Sequence, residues 1–375
     1  MIYLDNAATT RPDDECLSRA EKYLYGEYYN PSALYAGGYN LHKQLKEARD
    51  NILRKIASPE KFSLIFTSCG TEADNQAVFS CGRRGNIVTT EGEHSAVFSA
   101  VNELKQRGIE VRFAPLNKDG SVNTQKLTEL IDEKTSLVSV IHVNNETGAI
   151  NDIAAISASV KAKNKFALFH SDGVQAFGKI PFRLTENIDL YSVSAHKIGG
   201  VKGCGALIKR KNLIIKPYIF GGGQEDGLRS GTENVFAIKM LEFAAEKRFS
   251  NLEKSYAHIR NLKNLLCESL DKSLFTVLSP TNGSPYILAV SAVGLRGETL
   301  LHECDDKGLI IGTGSACSSN EKKRFSRVIL ACGHGEELAD GVLRLSFSPE
   351  NTVEEIKAAA EILNTTAKNR KNLMA

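Results

Sequence analysis

Hydrophobic positions along the first two thirds of the chain follow a helical period in some stretches and form short apolar runs in others. Within residues 37–57 the apolar side chains recur every three to four positions, which predicts an amphipathic helix with one buried face. They are Leu41, Leu45, Ala48, Ile52 and Ile56. Short apolar runs then alternate with further helical stretches, and this alternation predicts a mostly parallel sheet covered by helices on both faces.

Seven apolar runs are the candidate strands of this sheet. They are "SLIFT", "NIVTT", "EVRFA", "SLVSVIHV", "KFALFHS", "DLYSVS" and "GCGALIK". The segment "TEADNQAVFSCG" after the first run is interpreted as a helix with Thr71 and Glu72 at its start. We therefore predict an α/β fold whose large domain, residues 14–250, is built around a mostly parallel seven-stranded sheet between helices.

The pattern changes after residue 250. A long helical run, "NLEKSYAHIRNLKNLLCESLDKSL", precedes the apolar runs "FTVLS", "YILAVS", "LIIG" and "VLRLSF", with helices between and after them. We expect a smaller α+β domain that consists of residues 251–375 together with residues 1–13. The terminal segment "TTAKNRKNLMA" is polar and is expected to fray.

Composition narrows the functional classes without identifying one. The chain has 375 residues, of which 42% are hydrophobic and 24% charged, as in ordinary globular proteins of about two domains. A net charge of +3 is too small to indicate direct nucleic-acid binding. No apolar run approaches the roughly 18 residues of a membrane helix, so no membrane contact is expected.

The eight cysteines are scattered singly and include no C-x-x-C pair. Zinc and iron–sulfur spacings are therefore missing, and no metal site is expected. The start "MIYLDNAATT" lacks the basic and apolar regions of a secretory signal. Together these features predict a cytoplasmic protein with reduced thiols.

Polar residues cluster where the predicted strands end. Gly70 and Thr71 follow the first strand, and His94 follows "NIVTT" at a helix start. Each of these alone is better explained as a helix cap or a packed side chain. Asp172 follows "KFALFHS", and Lys197 follows "DLYSVS"; a lone lysine there is usually solvated.

Considered together, these residues match the needs of pyridoxal phosphate. The cofactor requires a lysine for a Schiff base, a carboxylate beside its pyridine nitrogen, a flat ring on its face, and amides with hydroxyls for its phosphate. All of these groups fall at the carboxyl ends of strands of one predicted sheet, where ligands of such sheets bind.

Nine motifs then establish a resemblance that runs essentially from end to end. They are "YLDNAATT", "NPSALY", "FTSCGTEADN", "EHSAV", "HVNNETGAI", "DGVQAFGK", "SAHKIGGVKGCGAL", "GGGQEDGLRSGTEN" and "GTGSACSS". Each is weak alone, but all nine in this order are highly specific. The sequence resembles the cysteine desulfurases of the NifS/IscS type, which belong to the class V aminotransferase group of fold-type I pyridoxal-phosphate enzymes.

The resemblance implies a role for each polar residue around the cofactor. Lys197 would carry the Schiff base, and Asp172 would pair with the pyridine nitrogen. His94 would stack on the ring and take part in acid–base chemistry. Gln175 and Asn145 would contact the cofactor's phenolic oxygen or the substrate.

The resemblance also assigns the phosphate and the substrate. Gly70, Thr71, Ser194 and His196 would hold the phosphate. Thr232 would reach the phosphate of a neighbouring subunit's cofactor, which implies a homodimer. The residues implied for the substrate, L-cysteine, are Arg344 for its carboxylate, with Asn30 and the chain start shaping the pocket.

In this family the cysteine of "GSACSS", here Cys317, is the nucleophile. With Lys197 as the base at the substrate's α-carbon, the Cys317 thiolate would attack the substrate sulfur and leave alanine and a Cys317 persulfide. The persulfide must reach an acceptor protein, so a mobile, exposed loop is expected around it. Gly312 and Gly314 would permit such motion.

Three positions depart from the family's usual residues. Cys69 stands where a glycine is common, Tyr35 where a histidine is common, and Asp226 where a basic residue is common. Cys69 is interpreted as a small core residue, not a second nucleophile. The long Cys317 loop resembles the NifS/IscS subgroup, whereas the chain ends soon after Arg344. The acceptor is therefore left open between an iron–sulfur scaffold, a tRNA-thiolating enzyme and thiamine synthesis.

Two other functions remain alternatives at this stage. One is a different enzyme on the same fold, such as a selenocysteine lyase or an aminotransferase, and the latter would not need Cys317. The other is a catalytically inactive binding partner or regulator. The presence of Lys197, Asp172, His94 and Cys317 in one chain argues against that second alternative.

Overall fold

The computed structural model describes residues 1–82, 84–314 and 325–374. Its strands are β1 (Ile2–Tyr3), β2 (Phe62–Thr67), β3 (Asn86–Thr90), β4 (Glu110–Ala114), β5 (Thr135–Ser139), β6 (Leu168–Asp172), β7 (Leu190–Ser194), β8 (Gly205–Arg210), β9 (Phe275–Val277), β10 (Ile287–Ala292), β11 (Leu309–Ile310) and β12 (Val342–Ser346). Its α-helices are α1 (Asp14–Ala20), α2 (Lys22–Tyr25), α3 (Ala36–Ile56), α4 (Gly70–Cys81), α5 (Ser95–Gln106), α6 (Thr124–Glu129), α7 (Ile153–Lys163), α8 (Val235–Ser250), α9 (Leu252–Ser269), α10 (Gly297–Asp305), α11 (Arg327–Ala331), α12 (Glu336–Asp340) and α13 (Val353–Met374).

The central element is a seven-stranded sheet in the order β2-β8-β7-β6-β5-β3-β4. Strands β3 to β7 pair in parallel, and β8 runs antiparallel to both β7 and β2. The predicted mostly parallel α/β fold is therefore confirmed. Because six strands share one direction, their carboxyl ends open at one edge of the sheet.

Strand β2 illustrates how the apolar runs cover both faces of this sheet. Leu64 and Phe66 pack into a large hydrophobic cluster that includes side chains of α3 and α8. Ile65, between them, packs on the opposite face with Ala73 and Ala77 of α4. Side chains of a strand alternate between faces, so a strand buried on both sides reads as a continuous apolar run.

A second hydrophobic cluster lies around the three-stranded sheet β12-β10-β9, whose pairings are antiparallel. It contains side chains of α9, α10 and α13, and Leu4 from the chain start. Strand β1 pairs in parallel with β11, so the first residues pack with the last third of the chain. This arrangement accords with a small α+β unit, whose boundaries at residues 13 and 251 stay a prediction.

Two expectations about individual elements were wrong. The C-terminal segment was expected to fray, whereas it is helical as far as Met374. Leu363 and Ala367 of that helix are buried in the second cluster, and Lys307 Nζ donates to Thr366 Oγ1 at 2.6 Å. The apolar run "SLVSVIHV" is a strand only as far as Ser139, and its remainder forms the loop at the sheet edge.

None of the helices within the described residues is both long enough and apolar enough to cross a bilayer.

Candidate active site

A cavity of about 240 Å³ opens at the carboxyl edge of the large sheet. Ten of the residues predicted for the site line it, namely Gly70, Thr71, His94, Asn145, Asp172, Gln175, Ser194, His196, Lys197 and Arg344. All but Arg344 lie at or just after the carboxyl ends of strands β2, β3, β5, β6 and β7, which meet at this edge. Arg344 comes instead from β12 of the three-stranded sheet.

The start of α4 forms an anion seat at one end of the cavity. Cys69 is the N-cap residue and is extended, so the helix begins at Gly70 and its first N–H groups have no partner within the helix. Beside them the Ser194 hydroxyl oxygen is buried and, among the described residues, has no hydrogen-bond partner. A buried hydroxyl at a helix start is the donor set that a phosphate group needs.

Lys197 ends the short 3-10 turn Ala195–Lys197, directly after β7. Its Nζ donates to the carbonyl oxygens of Ala7 and Ala8 at 2.6 and 2.7 Å. The amine is therefore held over the cavity by the chain start. Sequence reasoning missed these two carbonyls, although the motif "YLDNAATT" contains both residues.

Asp172 is buried at the end of β6, where its Oδ1 accepts a hydrogen bond from the Val174 N–H at 2.9 Å. Burial raises the pKa of its carboxyl group to about 6, while the hydrogen bond and Lys197 oppose that rise. A carboxylate in this position gains stability from any cation placed in the cavity. It is thus suited to hold a protonated ring nitrogen.

Asp74 is a second buried carboxyl group on the cavity wall, and the sequence analysis did not single it out. Its Oδ1 has no hydrogen-bond partner among the described residues and lies 3.5 Å from His170 Nε2. One carboxylate oxygen from each of Asp74 and Asp172 and one imidazole nitrogen of His94 all lie within 4.8 Å of one another. Burial, and then the charge of Asp172, raise the pKa of Asp74 well above its usual range. Asp74 therefore holds the proton while Asp172 stays ionised.

His94 is both the N-cap of α5 and part of the cavity wall. Its Nδ1 accepts a hydrogen bond from the Ala96 N–H at 3.2 Å, which leaves the ring proton on Nε2. Burial, and then the positive charge of Lys197, lower the pKa of His94 to about 4. The ring is consequently neutral near pH 7 and can stack on an aromatic cofactor without the cost of a buried charge.

His196 is held in place by a hydrogen bond between its Nδ1 and Thr9 Oγ1 at 3.1 Å. Burial and the charge of Lys197 lower its pKa to about 4 as well. Another neutral imidazole therefore lies beside the anion seat, where it can donate a hydrogen bond.

Arg344 lies in β12 and is almost completely buried at the cavity wall. It pairs with Asp5 Oδ1 at 2.8 Å and donates to the Asn145 carbonyl at 3.2 Å. Its Nε–H has no partner among the described residues. A buried guanidinium with an unsatisfied donor is suited to take a carboxylate. Asp5, within the motif "YLDNAATT", is another site residue that sequence reasoning missed.

Two predicted site residues within the described ranges do not line this cavity. Asn30 is exposed, and its side-chain oxygen accepts from the Ser32 N–H at 2.9 Å. Thr232 is exposed and lines a separate cavity with Glu225 and Arg229. Cys317 lies outside the described residues.

The residues present fit pyridoxal phosphate on structural grounds. The orphaned Ser194 hydroxyl and the start of α4 suit its phosphate, and Asp172 suits its ring nitrogen. Lys197 lines the same cavity.

The sequence profile of the aminotransferase class-V family matches residues 2–359. The chain is 36% identical to "Cysteine desulfurase IscS" of Clostridium botulinum over 99% of its own length and 96% of that protein. It is 35% identical to the protein of the same name from Methanosarcina thermophila, over 99% of this chain and 93% of that one.

Solved structures give the same picture. A "NIFS-LIKE PROTEIN" superposes with a TM-score of 0.92 at 34% identity, covering 98% of this chain and 99% of that one. The NifS-like protein of Rickettsia africae superposes with a TM-score of 0.90 at 31% identity and the same coverage.

Proposed function

We propose that this chain, which belongs to the aminotransferase class-V family and within it to the cysteine desulfurases of the NifS/IscS type, removes sulfur from L-cysteine. It is an enzyme that uses pyridoxal phosphate. The observation that carries the proposal is the shared cavity of Lys197, Asp172 and Arg344, which offers an amine, a carboxylate and an unsatisfied guanidinium donor.

When bound, pyridoxal phosphate supplies an electron sink that weakens bonds at the substrate's α- and β-carbons. Lys197 would bind the cofactor covalently, and ionised Asp172 would face its ring nitrogen. The start of α4 with Ser194 and His196 would hold its phosphate. Neutral His94 would cover one face of the ring.

Arg344 would fix the substrate by its carboxylate, and Asp5 would keep the guanidinium in place. The amino group of L-cysteine would replace that of Lys197 on the cofactor, and the freed Lys197 amine would then remove the α-proton of the fixed substrate. Neutral His94 keeps its ring proton on Nε2, from which it can donate a hydrogen bond to the reacting substrate.

Sulfur transfer would use Cys317. Its thiolate attacks the substrate sulfur, so that a sulfur–sulfur bond forms as the substrate's carbon–sulfur bond breaks. The electron pair of the broken bond remains on the substrate carbon, which takes up a proton and becomes the methyl group of alanine.

The position of the described chain supports this role for Cys317. Gly312 exchanges two backbone hydrogen bonds with Arg344, at 2.8 and 2.9 Å. Cys317 follows five positions later, and five residues span at most about 17 Å when extended. The thiol can therefore reach the cavity that Arg344 lines. A mobile, exposed loop around it stays a prediction.

A homodimer is part of the proposal, because two segments expose large apolar side chains. The first contains Leu24, Tyr25, Tyr28, Tyr29, Leu34, Tyr35 and Tyr39, and the second contains Ile214, Tyr218, Ile219 and Phe220. Exposed apolar clusters of this size typify interaction surfaces. A second copy that covers these segments could also bring its cofactor phosphate to the exposed Thr232. Sedimentation should show a dimer that Leu34→Glu weakens and Phe166→Glu, another exposed position, does not.

The acceptor of the persulfide and the cellular compartment are the remaining parts of the proposal. We propose delivery in the cytoplasm to an acceptor protein, either an iron–sulfur scaffold or a tRNA-thiolation enzyme. Incubating the persulfide form with each purified acceptor and following the sulfur distinguishes them.

The test of the reaction begins with the visible absorbance of the purified protein. L-Cysteine is then added with a reductant, and alanine and sulfide are measured. We expect a yellow protein that forms both in equal amounts. Cys317→Ala should stay yellow and lose sulfide release, whereas Cys69→Ala, the matched thiol within the cavity, should keep it. Transamination of a keto acid without sulfide release would instead support an aminotransferase.

A further inference from the structure

The motif "DGVQAFGK" contains a second lysine that the proposed reaction leaves without a role. Lys179 lies four residues after Gln175 in the turn that follows β6. It is only 4% exposed, although lysine is almost never buried unless paired. Within the described residues no carboxylate forms an ion pair with it. Its burial therefore needs an explanation other than a salt bridge.

Lys179 Nζ donates to Gln175 Oε1 at 2.8 Å. Gln175 Nε2 in turn donates to the Ala7 carbonyl at 2.8 Å, and the same carbonyl accepts from Lys197. A backbone carbonyl can only accept, so Ala7 must face the amide nitrogen, and the amide oxygen is then the atom that meets Lys179. The orientation of the Gln175 amide is thus fixed from both of its ends.

This orientation determines what Gln175 offers to the cavity. The amide nitrogen has two N–H groups, and Ala7 takes one of them. Among the described residues no other acceptor takes the second N–H, and Gln175 lines the cavity, so this N–H can serve a molecule bound there. A cofactor oxygen that carries negative charge would accept it.

The surroundings of Lys179 disfavour its charged form. Its Nζ lies 5.8 Å from the centre of the Tyr286 ring, and the charged groups that act on it are Lys197, Arg248 and Arg344. Burial, and then these three cations, lower the pKa of Lys179 well below its usual range. The geometry holds whether the amine is charged or neutral, since both forms have N–H groups to donate.

We propose that Lys179 is a positioning residue that locks the Gln175 amide so that its second N–H points at the phenolic oxygen of pyridoxal phosphate. This inference rests on the proposed function, because it requires the cofactor to be bound at Lys197. Lys179 itself touches neither cofactor nor substrate.

The test follows the visible band of the lysine-linked cofactor as the pH is varied. A hydrogen bond to the phenolic oxygen favours the unprotonated form, so its loss should raise the pKa of the chromophore by about one unit in Lys179→Met. Cofactor affinity, titrated into apoenzyme, should fall about 3- to 10-fold. Lys179→Gln still has an N–H to donate, so its chromophore pKa and its cofactor affinity should both lie close to those of the wild type. If Lys179→Met does not fold, Lys179→Ala, which also removes the donor to Gln175 Oε1, is the test variant and should show the same two losses.

Two controls separate positioning from a general effect of charge or packing. Lys263→Met removes another buried lysine, which donates to the Ser284 carbonyl at 3.0 Å, and should leave the chromophore unchanged. In a Gln175→Leu background, Lys179→Met should cause no further shift, because Lys179 acts through Gln175.

A wild-type titration curve in Lys179→Met, or an undiminished shift in the Gln175→Leu background, would overturn the inference. A colourless wild-type protein would instead refute the proposed function. The two failures are thereby distinct.

Discussion

At the scale of single residues, enclosure in the cavity decides which groups carry charge. His94 and His196 stay neutral because burial lowers the pKa of each to about 4. Asp74 and Asp172 compete for one negative charge, and Asp172 keeps it because it has a backbone donor and Lys197 nearby. The result is a cavity whose fixed charges are an amine, a carboxylate and the guanidinium of Arg344.

Arg344→Lys tests the carboxylate clamp. Lysine keeps the positive charge but loses the planar pair of donors, so kcat/KM for L-cysteine should fall about 10- to 100-fold. The cofactor's absorbance should not change, since the substitution lies on the substrate side. Arg370→Lys, at a half-buried arginine paired with Glu303 and outside the cavity, is the control and should behave as wild type. Unchanged steady-state kinetics in Arg344→Lys would contradict the clamp.

At the scale of elements, the start of α4 depends on its contact with β8. A Cβ atom added at Gly205 would lie 2.6 Å from the carbonyl carbon of Cys69 and 2.9 Å from the Gly70 nitrogen. Real Cβ atoms do not approach backbone so closely, so the strand and the helix start meet here only because residue 205 has no side chain. The anion seat is therefore built by the packing of two elements that are distant in sequence.

Gly205→Ala should push the start of α4 out of position. We expect cofactor affinity, measured by absorbance titration of the apoenzyme, to fall at least about 10-fold and the free energy of unfolding to drop by about 1–3 kcal/mol. Gly335→Ala is the matched control, because a Cβ there meets open space. Equal affinities for the two variants would show that the contact does not shape the seat.

At the scale of the whole molecule, the two hydrophobic clusters meet around a buried histidine. The ring of His142 lies 4.7 Å from that of Phe182, which packs against both clusters, and its Nδ1 is hydrogen-bonded to the Tyr191 hydroxyl. Burial lowers the pKa of His142 to about 3, with only a small opposing effect from Asp152. The junction is therefore stable only while this imidazole is neutral.

This junction predicts acid sensitivity. The pKa of His142 is lower in the folded protein than in the unfolded chain, where it is about 6.5. The unfolded chain therefore binds the extra proton first, and stability is lost as the pH falls from about 6.5 towards 3.

The variant His142→Asn isolates this contribution in urea unfolding measured at several pH values. Between pH 6 and 4 the wild type should lose about 1.4 kcal/mol more per pH unit than the variant, because the other titrating groups are common to both. Parallel curves for the two proteins would show that His142 does not titrate on unfolding.

The sequence alone was sufficient for the strands, the helices around them and most of the cavity residues. Every residue of β3 and β7 is buried, and their apolar and β-branched residues, such as Ile87, Val88 and Val193, make these short segments recognisable as strands. Lys197 and Asp172 follow such strands directly, and parallel strands align their carboxyl ends. The sequence did not indicate that α13 continues to Met374, because its apolar face is sparse and is stabilised by packing on the second cluster.

Tertiary structure alone decided how the chemically active groups are supported. Asp5 reaches Arg344, Asp74 comes within reach of Asp172, and Lys179 donates to Gln175. The first two pairs join residues that are 339 and 98 positions apart in sequence, and no periodicity encodes such a contact. Periodicity reports only which side of an element is buried. Which buried groups then share a proton or a hydrogen bond depends on distances that the packed fold sets, and the pKa values of the site follow from those distances.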